Sequence, residues 1–331
     1  MTLPTKRGDW LKSLRAAGKR RDPLARSRHT SAYRWVSGAG DDLPGVTIDV
    51  YGEHLVVSLS SDEALEKREP ILDALAEVHA GGIYLKLRPK KASTLVDTRR
   101  EDVAPKLPAR GPAAPDPVIV SEHGVDYAVS LGDGLSTGIF LEQRIARDHV
   151  RQISQGARVA NLFCYHAAFT VAALAGGAVS SVSVDSSGAA LDKARRNLDR
   201  HAADRDTHRL ANAEARAWLR RRAKRPAEDH FDLIVLDPPS FSSTKRGTFR
   251  IARDYPALLH GALACLAPNG RVLACCNMHS LPLRSFRKKV RVALEEAGRT
   301  VVSIDTLPVP EDFLPPPGEE HYQKNLLITL A

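Results

Sequence analysis

Phe231-Asp232-Leu233-Ile234-Val235-Leu236-Asp237-Pro238-Pro239-Ser240-Phe241 reads as a buried β-strand that stops abruptly. Four consecutive apolar residues, Leu233 to Leu236, fit a strand covered on both faces, as in a parallel sheet. The two prolines fix φ and remove amide donors, which ends the strand at Asp237. Carbonyl groups at such an end can face a planar ligand, and Asp237 stands where it can meet one. Pro238, Pro239, Ser240 and Phe241 are therefore candidates for substrate contact, and Asp237 for catalysis and cofactor contact. An Asp-Pro turn is also common as plain structure, so its surroundings decide the fold.

Outward from this strand the pattern alternates. Strands are predicted at Arg158–Phe163, Ser180–Asp185, His208–Ala211, Arg271–Cys276, Thr300–Thr306 and Asn325–Leu330. Helices fit at Ala168–Ala175, Gly188–His201, Ala213–Ala223, Asp254–Leu266 and Leu283–Ala297. This alternation predicts an α/β fold with a doubly wound, Rossmann-like sheet. The last strand follows the Pro-rich stretch Pro308 to Gly318 without a crossover helix, so it is expected to run antiparallel. That arrangement suits a methyltransferase better than a dehydrogenase. Upstream, Val46–Val50, His54–Ser60 and Ile83–Leu87 read as strands, with a helix over Asp62–Val78: a small N-terminal α/β domain. A hairpin is expected to turn at Glu122-His123-Gly124.

Ligands in open α/β sheets sit beyond the carboxyl ends of the strands, near the switch point. One strand ends in Asn161-Leu162-Phe163-Cys164-Tyr165-His166-Ala167, and the next in Asp185-Ser186. A carboxylate at Asp185 can accept hydrogen bonds from both ribose hydroxyls of an adenosine, or it can cap the following helix. A dinucleotide site would also need Gly-x-Gly-x-x-Gly for its pyrophosphate, and that motif is missing. S-adenosylmethionine carries no pyrophosphate and is the expected cofactor. Asn161, Phe163, Tyr165, Asp185 and Ser186 are its candidate contacts. Glu214 is placed either against the adenine or in the first turn of the next helix.

The chain of 331 residues, 43% apolar, suggests three segments: a basic arm at 1–34, the small domain at 35–115 with RNA or substrate contact, and the catalytic domain at 116–331. The arm holds ten basic residues against Asp9 and Asp22, so it carries +8 of the net +9. Such a concentration fits a polyanionic partner such as RNA, or a solvated tail. With 5% aromatic residues, any base-stacking surface is small. A second basic cluster, Leu283 to Arg291, fits an RNA entrance or a solvated helix face. No apolar run is long enough to span a membrane, and no apolar leader opens the chain, so the cytoplasm is expected. Cys164, Cys265, Cys275 and Cys276 show no metal-ligand spacing and read as free thiols. Monomer and homodimer fit equally well.

The Asp-Pro-Pro run, Asp42-Leu43-Pro44-Gly45-Val46-Thr47-Ile48-Asp49, Ser121-Glu122-His123-Gly124, Thr137-Gly138-Ile139-Phe140-Leu141-Glu142-Gln143-Arg144 and Arg253-Asp254-Tyr255 together resemble the large-subunit ribosomal RNA methyltransferase I family, which makes 5-methylcytosine. They also resemble the related guanine-N7 methyltransferase called K. The resemblance runs from Val36 to Ala331. It implies a 23S ribosomal RNA substrate, and it places Phe140, Gln143 and Arg144 near the methionine end of the cofactor. Two features depart from the family pattern. Its usual N-terminal RNA-binding PUA domain is replaced here by the short basic arm. Its Phe-Ser-Tyr-Thr-Gly loop reads Phe163-Cys164-Tyr165-His166-Ala167, where Ala disfavours the positive φ that Gly tolerates. A non-catalytic RNA-binding or assembly protein is the contrasting expectation.

The resemblance also matches Cys276 to the family's cysteine. Carbon 5 of a pyrimidine is a poor nucleophile, and thiolate addition at C6 makes it enamine-like. Cys276 is thus the candidate nucleophile, or else a small apolar residue at a buried strand end. A thiolate needs a cation or donor nearby, for which His279 and Lys245 are the candidates. Asn277 matches the second Asn of the guanine-N7 relative, where the base is already nucleophilic and positioning suffices.

Overall fold

The computed structural model describes residues 2–88, 100–244 and 247–331, with the side chains of 242–248 left aside. Two compact units divide it: Met1–Glu142 with Pro310–Glu319, and Gln143–Val309 with Glu320–Ala331. The division falls later than the expected 115/116, and a short late segment returns to the first unit.

The first unit is built on a four-stranded sheet of β1 (Ala32–Ser37), β2 (Val46–Tyr51), β3 (His54–Leu59) and β4 (Ile83–Leu87), in that order. Strands β1 to β3 are antiparallel. Strand β4 lies parallel to β3, after the crossover helices α3 (Asp62–Glu66) and α4 (Arg68–Val78). A two-residue turn joins β5 (Val118–Glu122) to β6 (Val125–Val129). Its residues, His123 (φ 49°) and Gly124 (φ 80°), both have positive φ, as a type I′ turn requires.

The expected basic arm is no tail. Helix α1 (Arg7–Arg20) presents Trp10, Leu14 and Ala17 on one face, at i, i+4 and i+7, and all three are buried in the first unit's core. Much of its charge is locked. Arg21 makes a bidentate pair with Asp41 at 2.6 and 2.7 Å, both side chains being buried. Arg20 joins the same carboxylate, Arg34 pairs with Asp49, Arg26 with Asp22, and Arg7 with Glu77. The late segment closes this cluster: Asp312 accepts from the Arg34 amide at 2.7 Å and from Arg21 Nη2 through its carbonyl at 2.7 Å.

The second unit is a seven-stranded sheet flanked by helices. Its strands are β7 (Arg158–Leu162), β8 (Ser180–Asp185), β9 (His208–Asn212), β10 (Phe231–Leu236), β13 (Leu266–Cys276), β14 (Val301–Leu307) and β15 (Lys324–Leu330), in the order β14-β15-β13-β10-β7-β8-β9. The last strand, β15, is antiparallel to both neighbours, as expected. The chain leaves β9 at one edge and re-enters at β10 beside β7, which puts the switch point between β7 and β10. Central β10 explains its own sequence: Leu233 and Val235 pack in one cluster, Ile234 and Leu236 in the other. Burying each such side chain stabilises the fold by roughly 1.5–3 kcal/mol. Helices α5 (Arg144–Gln152), α6 (Ala168–Ala175), α7 (Gly188–Arg200), α8 (Ala215–Arg222), α9 (Ile251–Leu263) and α10 (Leu283–Glu296) cover the faces. A hairpin, β11 (Phe241–Thr244) with β12 (Gly247–Arg250), follows the Asp-Pro-Pro turn. Among the described residues, no helix is long and apolar enough to cross a membrane.

Candidate functional site

Strands β7, β8, β10 and β13 all end at one edge of the sheet, where most of the expected residues of the second unit gather. After β7 the chain alternates in and out of the left-handed region: Phe163 (φ 60°), Tyr165 (φ 51°) and Ala167 (φ 62°). Ala167 therefore adopts the conformation its Cβ was expected to disfavour. Cross-links from β8 hold the loop there. The Cys164 amide donates to the Val184 carbonyl at 3.0 Å, and the Tyr165 amide to Asp185 Oδ2 at 3.0 Å. The Ala167 amide closes the turn on the Cys164 carbonyl at 2.7 Å.

Asp185 Oδ1 accepts from the Ser187 amide at 2.9 Å. The cap of α7 is Ser187, whose hydroxyl accepts from the Ala190 amide at 3.2 Å. Asp185 thus ties the tips of β7 and β8 together, and each of its oxygens keeps lone pairs for a ligand. Ser186, next to it, is exposed. Asn161 is buried, and its Nδ2 donates to Thr170 Oγ1 at 2.9 Å, which meets Ser183 Oγ at 2.7 Å. Its buried Oδ1 has no partner among the described residues, an acceptor that a ligand's N–H would satisfy.

At β10 and β13 a chain of amides converges on Asp237. Gln143 Nε2 donates to Asp237 Oδ1 at 3.2 Å, Asn325 Nδ2 to Gln143 Oε1 at 2.8 Å, and Gln323 Nε2 to Asn325 Oδ1 at 2.8 Å. Each amide fixes the orientation of the next. Ser240 Oγ donates to Asn277 Oδ1 at 2.6 Å, joining the Asp-Pro-Pro turn to the end of β13. Phe241 is 44% exposed beyond it, with the Arg250 guanidinium 5.9 Å from its ring.

Cys276, the last residue of β13, is fully buried, and burial pushes its thiol up from the ordinary range. A hydrogen bond from the Met278 backbone and the charge of Lys324 act the other way. Cys275 points to the opposite face, where burial and Asp237 raise its thiol much further.

Three more of the expected residues have definite places. Glu214 caps α8, its oxygens accepting from the Arg216 and Ala217 amides at 3.1 and 2.8 Å and pairing with the Arg216 side chain. Its position before the helix decided this. The cation beside Cys276 is Lys324; His279 instead stacks on Tyr322, and Lys245 lies outside the described residues. Phe140 belongs to the first unit and is 43% exposed, whereas Gln143 and Arg144 open the second, with Arg144 buried at the start of α5. Gln323, Lys324 and Asn325 were missed as site residues. The available signal was a run of three polar residues leading into an otherwise apolar terminal strand.

A left-handed loop after the first strand, a carboxylate ending the second, and Asp-Pro-Pro ending the fourth form a built site without a phosphate-binding glycine loop. The family model described as S-adenosylmethionine-dependent methyltransferase matches residues 40–307. The chain is 33% identical over 307 residues to YwbD of Bacillus subtilis (strain 168), covering 92% of this chain and 75% of the relative. It is 32% identical to ribosomal RNA large subunit methyltransferase I of Aeromonas salmonicida (strain A449), covering 96% and 80%. The crystal structure of SMU.776 complexed with SAH superposes with a TM-score of 0.87 at 28% identity, covering 99% of this chain and 83% of that one. The chain belongs to the S-adenosylmethionine-dependent methyltransferase family that includes ribosomal RNA large subunit methyltransferase I.

Proposed function

We propose that this enzyme methylates carbon 5 of a cytosine in large-subunit (23S) ribosomal RNA, with Cys276 as nucleophile. The observation that carries the reading is the strand-end thiol of β13, with a hydrogen-bond donor and a cation beside it, next to the strand that ends in Asp-Pro-Pro. The relatives' names supply the RNA.

S-adenosylmethionine, when bound, supplies an electrophilic methyl group on a sulfonium. Asp185 would accept hydrogen bonds from the ribose hydroxyls, Asn161 Oδ1 would take an N–H of the ligand, and Phe163, Tyr165, Ser186 and Arg144 would surround it. Gln143 holds Asp237. Pro238, Pro239, Ser240, Phe241 and Asn277 receive the target base.

Cys276 loses its proton to water and adds to C6, which pushes an electron pair onto C5. C5 takes the methyl group as the sulfonium bond breaks. Asp237 removes the C5 proton, and the returning electron pair expels the thiolate, restoring the ring. Exposed Lys6, Lys12, Arg15, Lys19 and Arg28, for which no ion pair is recorded among the described residues, supply phosphate contacts.

Mass-spectrometric nucleoside analysis of ribosomal RNA from cells carrying wild-type, Cys276→Ala or no enzyme tests the reading. One 5-methylcytidine is expected to depend on the gene and to vanish in C276A. A gene-dependent 7-methylguanosine that survives C276A would replace the thiol mechanism with guanine-N7 transfer.

A further inference from the structure

Lys324 is the direct antiparallel partner of Cys276 in the β13–β15 ladder. Such opposed residues project to the same face with Cβ atoms about 4.5–5.5 Å apart. The Lys324 side chain folds back on the strand ends: its Nζ donates to the Met278 carbonyl at 2.6 Å and to the Tyr322 carbonyl at 2.7 Å. An ammonium has three protons, so one donor remains. The residue is 4% exposed and Cys276 0%.

A cation this deep ordinarily has a carboxylate against it, because an unpaired buried charge is costly. Lys324 makes no ion pair with a carboxylate among the described residues, and Glu320 acts on it only from farther away. Two neutral carbonyls hold the charge in place without cancelling it. The anion this geometry has room for is the sulfur of Cys276, which already takes a hydrogen bond from the Met278 backbone. The other titratable groups acting on this thiol are Asp237, whose charge opposes ionisation, and the buried neutral Cys275 and Tyr255.

We infer that Lys324 is the positioning cation of the Cys276 thiolate: held by the Met278 and Tyr322 carbonyls, it directs its third N–H at the sulfur and stabilises the anion that attacks C6. The inference rests on the proposed thiol chemistry and extends it to a residue 48 positions away in the chain. It also gives a reason for a charged residue inside a buried strand pair. The proton that leaves Cys276 goes to water; burial lowers the pKa of the Lys324 ammonium, and the charge of the Cys276 thiolate raises it again.

The test uses the full chain, S-adenosylmethionine and large-subunit ribosomal RNA transcribed with 5-fluorocytidine. Fluorine cannot leave as a cation, so a C6 thioether adduct accumulates and is seen as a protein–RNA band. Its rate of formation is followed from pH 6 to 9.5 for the wild type, Lys324→Gln and Lys324→Arg. Glutamine keeps a donor for the carbonyls and removes the charge. We expect K324Q to form the adduct about 10- to 100-fold more slowly at pH 7, which is a thiol moved up by one to two units. Its acid limb should shift to higher pH, and the two rates should converge near the alkaline end. K324R should keep the wild-type profile.

A K324Q profile superimposable on the wild type overturns the role of Lys324 and leaves the thiol mechanism standing. Absence of any adduct in the wild type, with methyl transfer to unmodified RNA retained, overturns the thiol mechanism itself. Calorimetry with S-adenosylmethionine checks that each variant keeps a folded cofactor site. Should K324Q fail that check, Lys324→Met is measured in its place, with the same shift expected and the same superposition overturning the role.

Discussion

Replacing Ala167 by glycine should leave stability nearly unchanged, although the same change elsewhere in the following helix should be costly. Ala167 sits at φ 62°, ψ 29° and is fully buried. The left-handed conformation costs a residue with a Cβ about 1–2 kcal/mol. Glycine relieves that strain, but it raises the entropy of the unfolded chain by about 0.4–1 kcal/mol. It also gives up a buried methyl group, about 0.8 kcal/mol. The terms nearly cancel, leaving a net change within about 1 kcal/mol of zero. Ala173, equally buried within α6, is the control. There glycine loses about 0.8–1.0 kcal/mol of helix propensity and the same methyl burial with no strain to relieve, so about 2 kcal/mol goes. For a unit of this size that is roughly a 4–8 °C drop in the melting temperature of its transition. Differential scanning calorimetry of the two variants, with S-adenosylmethionine titrated into each, reads both stability and site integrity. Equal destabilisation by A167G and A173G would refute the left-handed loop, and with it the argument that β8 holds that backbone in place.

Asp185→Ala should weaken S-adenosylmethionine by at least about 10- to 100-fold in calorimetry, the loss of one charge-assisted hydrogen bond worth about 1.5–3 kcal/mol; undiminished affinity would remove Asp185 from the site. Asp41→Ala strands the buried Arg21 guanidinium and should cost the first unit about 3–5 kcal/mol in urea denaturation. A loss below about 1 kcal/mol would mean that the ion pair is not buried in solution. His208, buried with Nδ1 3.1 Å from Ser181 Oγ, has its imidazole pushed below the ordinary histidine range by burial. Its neutral form is the one the fold favours. Its contribution is therefore complete above the unfolded value near 6.5 and is lost as pH falls through the lower folded value. His208→Gln should flatten the fall in stability below pH 6.5, and an unchanged slope would contradict the assignment.

Much of the second unit was legible because its signals are local. Leu233–Leu236 is apolar on both faces, and the Asp-Pro-Pro that follows removes amide donors, so strand and stop are written in eleven residues. The antiparallel last strand followed from a missing crossover helix. Helix α5 was not legible: Arg144–Gln152 has few apolar residues and draws its stability from what it packs against. Strand β1 was hidden at the end of the basic arm for a similar reason, since Ala32–Ser37 shows no clean alternation of burial.

From its own order of residues this chain determined the alternation of strands and helices, the carboxylate after the second strand, the Asp-Pro-Pro turn, and the thiol at the end of the fifth. Periodicity and backbone chemistry act over a few residues, and they suffice for that. Only the tertiary structure decided which charges are spent and which remain. Arg21 is neutralised by Asp41 across 20 residues, while Lys324 lies opposite Cys276 in the strand ladder, 48 residues away, with no carboxylate ion pair among the described residues. Those partnerships depend on strand register and on the cost of burying a charge, and neither is set by the residues next in line.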